Sequence, residues 1–131
     1  MVFTKENIED LNFILFDSSI EFSDLHNLPK KLERFTIPIR IRRFEDAKKI
    51  KVLNITLWKR IPVWDATLTI ESIKTQHLTG IDEKFKDNHF ISDIIYDSGN
   101  SRIVIETVLG LVWTLEIHDH VKLILQDKNV S

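Results

Sequence analysis

The chain has 131 residues, 43% apolar and 29% charged, the make-up expected of one soluble globular domain with no room for a second independent core. It has no cysteine, which excludes disulfides, thiolate catalysis and cysteine-held zinc or iron–sulfur centres. The formal net charge of −2 is unevenly placed: residues 1–28 hold one Lys against six acids (−5), 29–60 eleven Lys or Arg against three (+8), and 61–131 six against eleven (−5).

No apolar run approaches the ~18 residues that cross a bilayer. The first residues, MVFTKENIED, lack a signal-peptide profile, so no membrane association and a cytoplasmic location are expected. Thr4 is placed to cap a short helix over Lys5–Leu11, with Glu6, Glu9 and Asp10 near the positive end of its dipole. Ile8, Leu11 and Leu15 recur at helical spacing, while Phe13, Ile14 and Phe16 blur that register. The period then becomes two: Ile20, Phe22 and Asp24 alternate with Glu21 and Ser23, as in a strand with one wet face. Residues 26–34, HNLPKKLER, read as a loop.

The clearest alternation follows, with Phe35, Ile37, Ile39 and Ile41 on one face and Thr36, Pro38, Arg40 and Arg42 on the other. Pro38 cannot donate to a ladder, so it predicts an edge position or a bulge. Further strands are expected over residues 50–58 (Leu53, Ile55, Leu57), over VWDATLTIESI (Trp64, Ala66, Leu68, Ile70), and over Phe90–Tyr96. Residues 76–90 read as polar and irregular, with Gly80 as the bend. DSGN predicts a hairpin turn with positive φ at its Asp or Gly, followed by strands over Arg102–Thr107, Leu111–Ile117 and Val121–Gln126. About eight closely spaced strands and a short N-terminal helix predict a mainly β fold over residues 1–131, an antiparallel sandwich or a curled, barrel-like sheet.

Little in the chain has the form of a catalytic motif. Glycine-rich phosphate loops and dinucleotide fingerprints are absent. The segment LEIHDHVK puts His118 and His120 two residues apart, and a zinc-dependent enzyme would need a third protein ligand beside them. Strand parity turns Trp113, Leu115 and Ile117 inward and both histidines outward, which leaves Asp119 on the inward side. A buried, unpaired carboxylate is costly, so a turn or bulge over His118–His120 is expected to carry Asp119 outward. His26, His77 and His89 fall in predicted loops with no spacing that points to a common site.

The basic middle third has two readings. It is a footprint for an anionic partner, or a set of charges that pairs with the acidic thirds on folding. Trp58, beside Lys59 and Arg60 and just before Pro62, has the setting of an interface anchor, with Arg40, Arg42 and Arg43 as neighbouring cations. The same cations beside aromatic rings would also suit single-stranded nucleic acid.

The segments VWDATLTIESI, ISDIIYD, RIVIET and VWTLEI, preceded by Phe16-Asp17-Ser18-Ser19-Ile20, resemble a group of small mostly-β bacterial proteins of unknown function. In that group a motif of the type Phe-His-Asp-Ser-x-Ile leads into the strands, and the His is missing here. Similar families are regarded as immunity proteins of polymorphic toxin systems. The resemblance covers residues 13–125 and implies a non-enzymatic, protein-binding role, with toxin neutralisation as its narrower form, and carries no catalytic residues and no cofactor. The expectation is a cytoplasmic module, monomeric or homodimeric, that binds another protein. The alternatives are nucleic-acid binding through residues 29–60 and a metal-dependent enzyme at His118 and His120.

Overall fold

The computed structural model describes residues 1–29, 31, 33–42, 63–80 and 88–127. Seven strands lie within them: β1 (Val2–Phe3), β2 (Ser19–Glu21), β3 (Arg34–Arg42), β4 (Val63–Thr79), β5 (Asn88–Asp97), β6 (Arg102–Thr107) and β7 (Val112–Asp127). A 3-10 turn over Lys5–Asn7 leads into helix α1 (Ile8–Leu15), and a short helix α2 (Phe22–His26) follows β2. The strands run antiparallel in the order β7-β4-β3-β2-β5-β6, and β6 pairs back onto β7. That last ladder closes a six-stranded barrel and decides between the two architectures expected from the strand pattern. β7 is long enough to hold β6 along residues 112–116 and the extra strand β1 at residues 123–124.

Alternation in the sequence becomes wall and interior. Phe35, Ile37, Ile39 and Ile41 of β3, Ala66, Leu68 and Ile70 of β4, Ile103 and Ile105 of β6, and Trp113, Leu115 and Ile117 of β7 are all buried. Side chains of this size fill a small barrel, so its interior is a packed core. Ile8, Leu11 and Leu15 of α1 join the same core, and the last two are fully buried. Full burial of each is worth about 1.5–3 kcal/mol, enough to hold a helix too short to stand alone.

β3 pairs with β4 over its whole length, but meets β2 at a single bridge, Ser19 opposite Arg40. Pro38 therefore sits in a strand with one largely unladdered flank, where a missing donor costs little.

Several elements differ from the sequence reading. The strand expected from Ile20 to Asp24 stops at Glu21 and turns into α2. Continued alternation would have turned Asp24 inward, whereas one helical turn buries Leu25 to 1% exposure instead. β4 runs on to Thr79, because the polar Gln76 finds hydrogen-bond partners inside the barrel. The two strands expected over Leu111–Ile117 and Val121–Gln126 are one bent strand. Of the DSGN turn, neither Asp97 nor Gly99 takes a positive φ; Ser101 does, at 50°. His77 and His89 lie in β4 and β5 rather than in loops, and His89 is buried. The strand expected over residues 50–58 lies outside the described residues.

The expected bulge is present. Four residues of β7, 118–121, lie between the partners of Glu71 and Ile73, opposite Ser72 alone. Lys74 in turn has no opposite in β7, so β7 gains two residues net. β7 keeps its own alternation through the bulge, with Ile117 and Val121 both inward, while the inward face of β4 shifts from Ile70 to Ile73 and then to Gln76. Ser72 takes a φ of 69°, a left-handed conformation that a bulge tolerates and a regular strand does not.

Candidate functional site

The residues singled out from sequence fall into three groups. Trp58, Arg43, Lys59 and Arg60 lie outside the described residues. Arg40 Nε sits 3.3 Å from Asp65 Oδ1, its opposite number in the β3–β4 ladder, and both side chains are more than half exposed. Such a pair contributes at most about 1 kcal/mol. Arg42 Nη1 reaches Asp17 Oδ2 at 2.8 Å, and its guanidinium lies 5.8 Å from the centre of the Phe90 ring. Arg34, also in the basic segment, pairs with Glu71 at 3.3 Å. The described arginines of the middle third are thus each met by a carboxylate from one of the acidic thirds.

His118 and His120 form the third group. Their rings stack with centroids 5.6 Å apart and planes 18° from parallel, both on the exposed outer face. Asp119 between them is turned out, 91% exposed, and takes a salt bridge from Lys5 at 3.2 Å. Hydrogen bonding to Asp119 raises the Lys5 pKa above its ordinary value. Among the described residues, no cluster of three or more His, Asp or Glu side chains is arranged to hold a metal ion.

A different place in the fold is concave. The helix–strand turn Phe16-Asp17-Ser18 ends α1: Ser18 N–H donates to Leu15 O at 2.9 Å, and Asp17 adopts a φ of 62°. Beyond it, α1 lies along β5. Asn12 stands in for a neighbouring strand there, its Oδ1 accepting the Ile94 N–H at 2.9 Å and its Nδ2 donating to Asp93 Oδ1 at 3.0 Å. Between this helix and strand runs an open groove of about 860 Å³. Its walls carry Phe13, Phe16, Ile94, Ile95 and Tyr96, and its polar lining includes Lys5, Glu6, Glu9 and Asp93.

The apolar wall is unusually exposed for a protein surface. Phe13 is 70% accessible, Phe16 49% and Ile95 40%. The sequence signal for it was present as the blurred helical register. At about 100° per residue, Phe13 lies some 200° round the helix from Leu11, on the face opposite the buried stripe. Apolar residues off the core-facing stripe of a short helix must meet solvent or a partner. A hydrogen bond from the Thr4 side chain holds the Glu6 carboxyl below its ordinary pKa.

No family model, curated protein or solved structure matches this chain. Among the described residues, no helix is long and apolar enough to cross a membrane. The site therefore has to be read from its own chemistry. The groove presents aromatic rings, isoleucine side chains and carboxylates together.

Proposed function

We propose that the chain is a non-enzymatic binding module whose partner is another protein, with neutralisation of a toxin as the narrower form that the family resemblance suggests. The observation that carries the reading is the α1–β5 groove, where two phenylalanines and an isoleucine are exposed side by side. Large aromatic side chains of this kind anchor protein interfaces, because they bury much area for few frozen torsions. Leaving Phe13 and Ile95 in water confers no folding benefit, so their position beside a concave surface is best explained by something that covers them. The nucleic-acid reading is less well supported, since Arg40 and Arg42 already pair with Asp65 and Asp17. The metal-enzyme reading would need a ligand beyond His118 and His120.

The test is copurification of the intact chain from its native host at low salt, followed by reconstitution of the complex from the two purified proteins. A stoichiometric complex that is lost with Phe13→Ser and Phe16→Ser is the expected result. The narrower form predicts that the partner alone arrests growth of cells and that coexpression of this chain restores it. A complex indifferent to both substitutions would overturn the groove as its interface.

A further inference from the structure

We infer that the α1–β5 groove receives a cationic segment of the partner: an apolar side chain seated against Phe13, Phe16 and Ile95, and a Lys or Arg held by Glu9 and Asp93. The inference rests on the protein-binding reading and adds the partner's chemistry to it. Charge decides it. Four ionisable side chains other than Tyr96 line the groove, and three of them are acids: Glu6, Glu9 and Asp93. The fourth, Lys5, is already committed to Asp119 at 3.2 Å. Among the described residues, none of the three acids makes an ion pair, and Asp93 is engaged only by the neutral amide of Asn12.

Asp93, half-buried beside the apolar wall, interacts more strongly with an arriving charge than a carboxylate on open surface, because less water screens it, while the exposed Glu6 and Glu9 add to the field. A cation gains further from the face of Phe13. The same field repels an acidic peptide or an anionic amphiphile. It also argues against a second copy of this chain, because an isologous contact through the groove would set the three acids against themselves.

The probes are two capped synthetic peptides, one alternating Leu and Lys and the other alternating Leu and Glu, titrated into the isotope-labelled full chain and followed by NMR. The Leu/Lys peptide is expected to shift the amides of Phe13, Phe16 and Ile95 first, with affinity falling as salt is raised. The Leu/Glu peptide is expected to leave them in place. Combined Glu6→Lys and Glu9→Lys substitution is expected to weaken the Leu/Lys peptide by roughly tenfold and to admit the Leu/Glu peptide. The milder pair Glu6→Gln and Glu9→Gln gives the same direction without adding positive charge to the first turn of the helix.

Three results would overturn the proposal: equal binding of both peptides, Leu/Lys shifts that map around Glu106 and Glu116 instead, or groove shifts that grow with protein concentration in the absence of peptide. The last would make a second copy the occupant. The wider reading is separated by a photo-crosslinker at position 13 and the purified partner. Crosslinking that is unaffected by charge reversal sinks the cationic segment alone. Partner binding that survives Phe13→Ser and Phe16→Ser without crosslinking sinks the groove itself.

Discussion

Gln76 and Trp113 are joined inside the barrel by a buried hydrogen bond, the indole N–H donating to Gln76 Oε1 at 3.0 Å. The other end of the same side chain donates to the Leu28 and Pro29 carbonyls, each at 3.1 Å. One amide thus ties β4, β7 and the segment before β3 together. Gln76 is 6% exposed and Trp113 1%, so water cannot replace these bonds readily. Gln76→Leu would strand the buried indole donor, at about 1–3 kcal/mol, and lose the part-buried bonds to the Leu28 and Pro29 carbonyls. The expected loss, allowing for some relaxation, is about 2–4 kcal/mol in urea unfolding, with a red shift of tryptophan emission before the main transition.

Asn12 supports a second prediction. Its side chain satisfies the Ile94 N–H that no strand takes and steadies Asp93. Asn12→Ala removes both bonds at a partly buried position, and a loss of about 1–2 kcal/mol follows. Hydrogen exchange gives the sharper readout: the Ile94 amide should lose protection while those within the β6–β7 ladder keep theirs. Unchanged protection at Ile94 would show that the amide is covered by something else.

The two left-handed glycines should respond differently to the same methyl group. Gly80 has a φ of 74°, and a Cβ there would fall 2.2 Å from the backbone oxygen of Gly110. Gly110 has a φ of 92°, with nothing within 4 Å of the added atom. Gly110→Ala is expected to cost about 1 kcal/mol for its conformation alone. Gly80→Ala carries that cost and a backbone collision, so its melting temperature should fall distinctly further. Equal losses would mean the Gly80–Gly110 approach opens freely.

Acid should loosen the β5–β6 turn. Asp97 Oδ2 accepts from Asn100 Nδ2 at 2.8 Å and from Arg102 Nε at 3.0 Å, and the Asn100 bond is the main reason its carboxyl titrates below the ordinary value of 3.8. A lowered folded pKa stabilises the fold above the unfolded value, and that contribution disappears as pH falls through the folded value. Carboxyl-detected NMR titration should find the Asp97 midpoint below 3.8. In Asn100→Ala the midpoint should move up. A midpoint unmoved by that substitution would assign the shift to Arg102 instead.

Much of the wall was legible because a strand repeats every two residues and one face must be dry. The inward sets Phe35–Ile41 and Trp113–Ile117 were readable residue by residue. Asp119 was readable too, as a charge on the wrong parity, and the bulge that carries it outward is found where that cost demands it. The end of β2 and the length of β4 were not. Leu25 and Gln76 are placed by partners distant in sequence, and no local period encodes a buried glutamine that bridges Trp113 to Leu28. The groove stood between these cases, since Phe13 and Phe16 could be seen to violate the helical stripe but not to face β5.

The sequence by itself determined that this is a mainly β chain with a short amphipathic helix, because apolar periodicity depends only on neighbours along the chain. It also determined the uneven charge that pairs Arg34, Arg40 and Arg42 with acids from the flanking thirds. Only the tertiary structure decided that the sheet closes, because closure needs β7 to return to β4 and β5 to reach β2, ladders between strands distant in sequence. It alone placed α1 along the open flank of β5, where Asn12 replaces a strand and two exposed phenylalanines meet Glu6, Glu9 and Asp93. A groove of that kind belongs to no single segment, since its walls are brought together by packing across about 80 residues of chain.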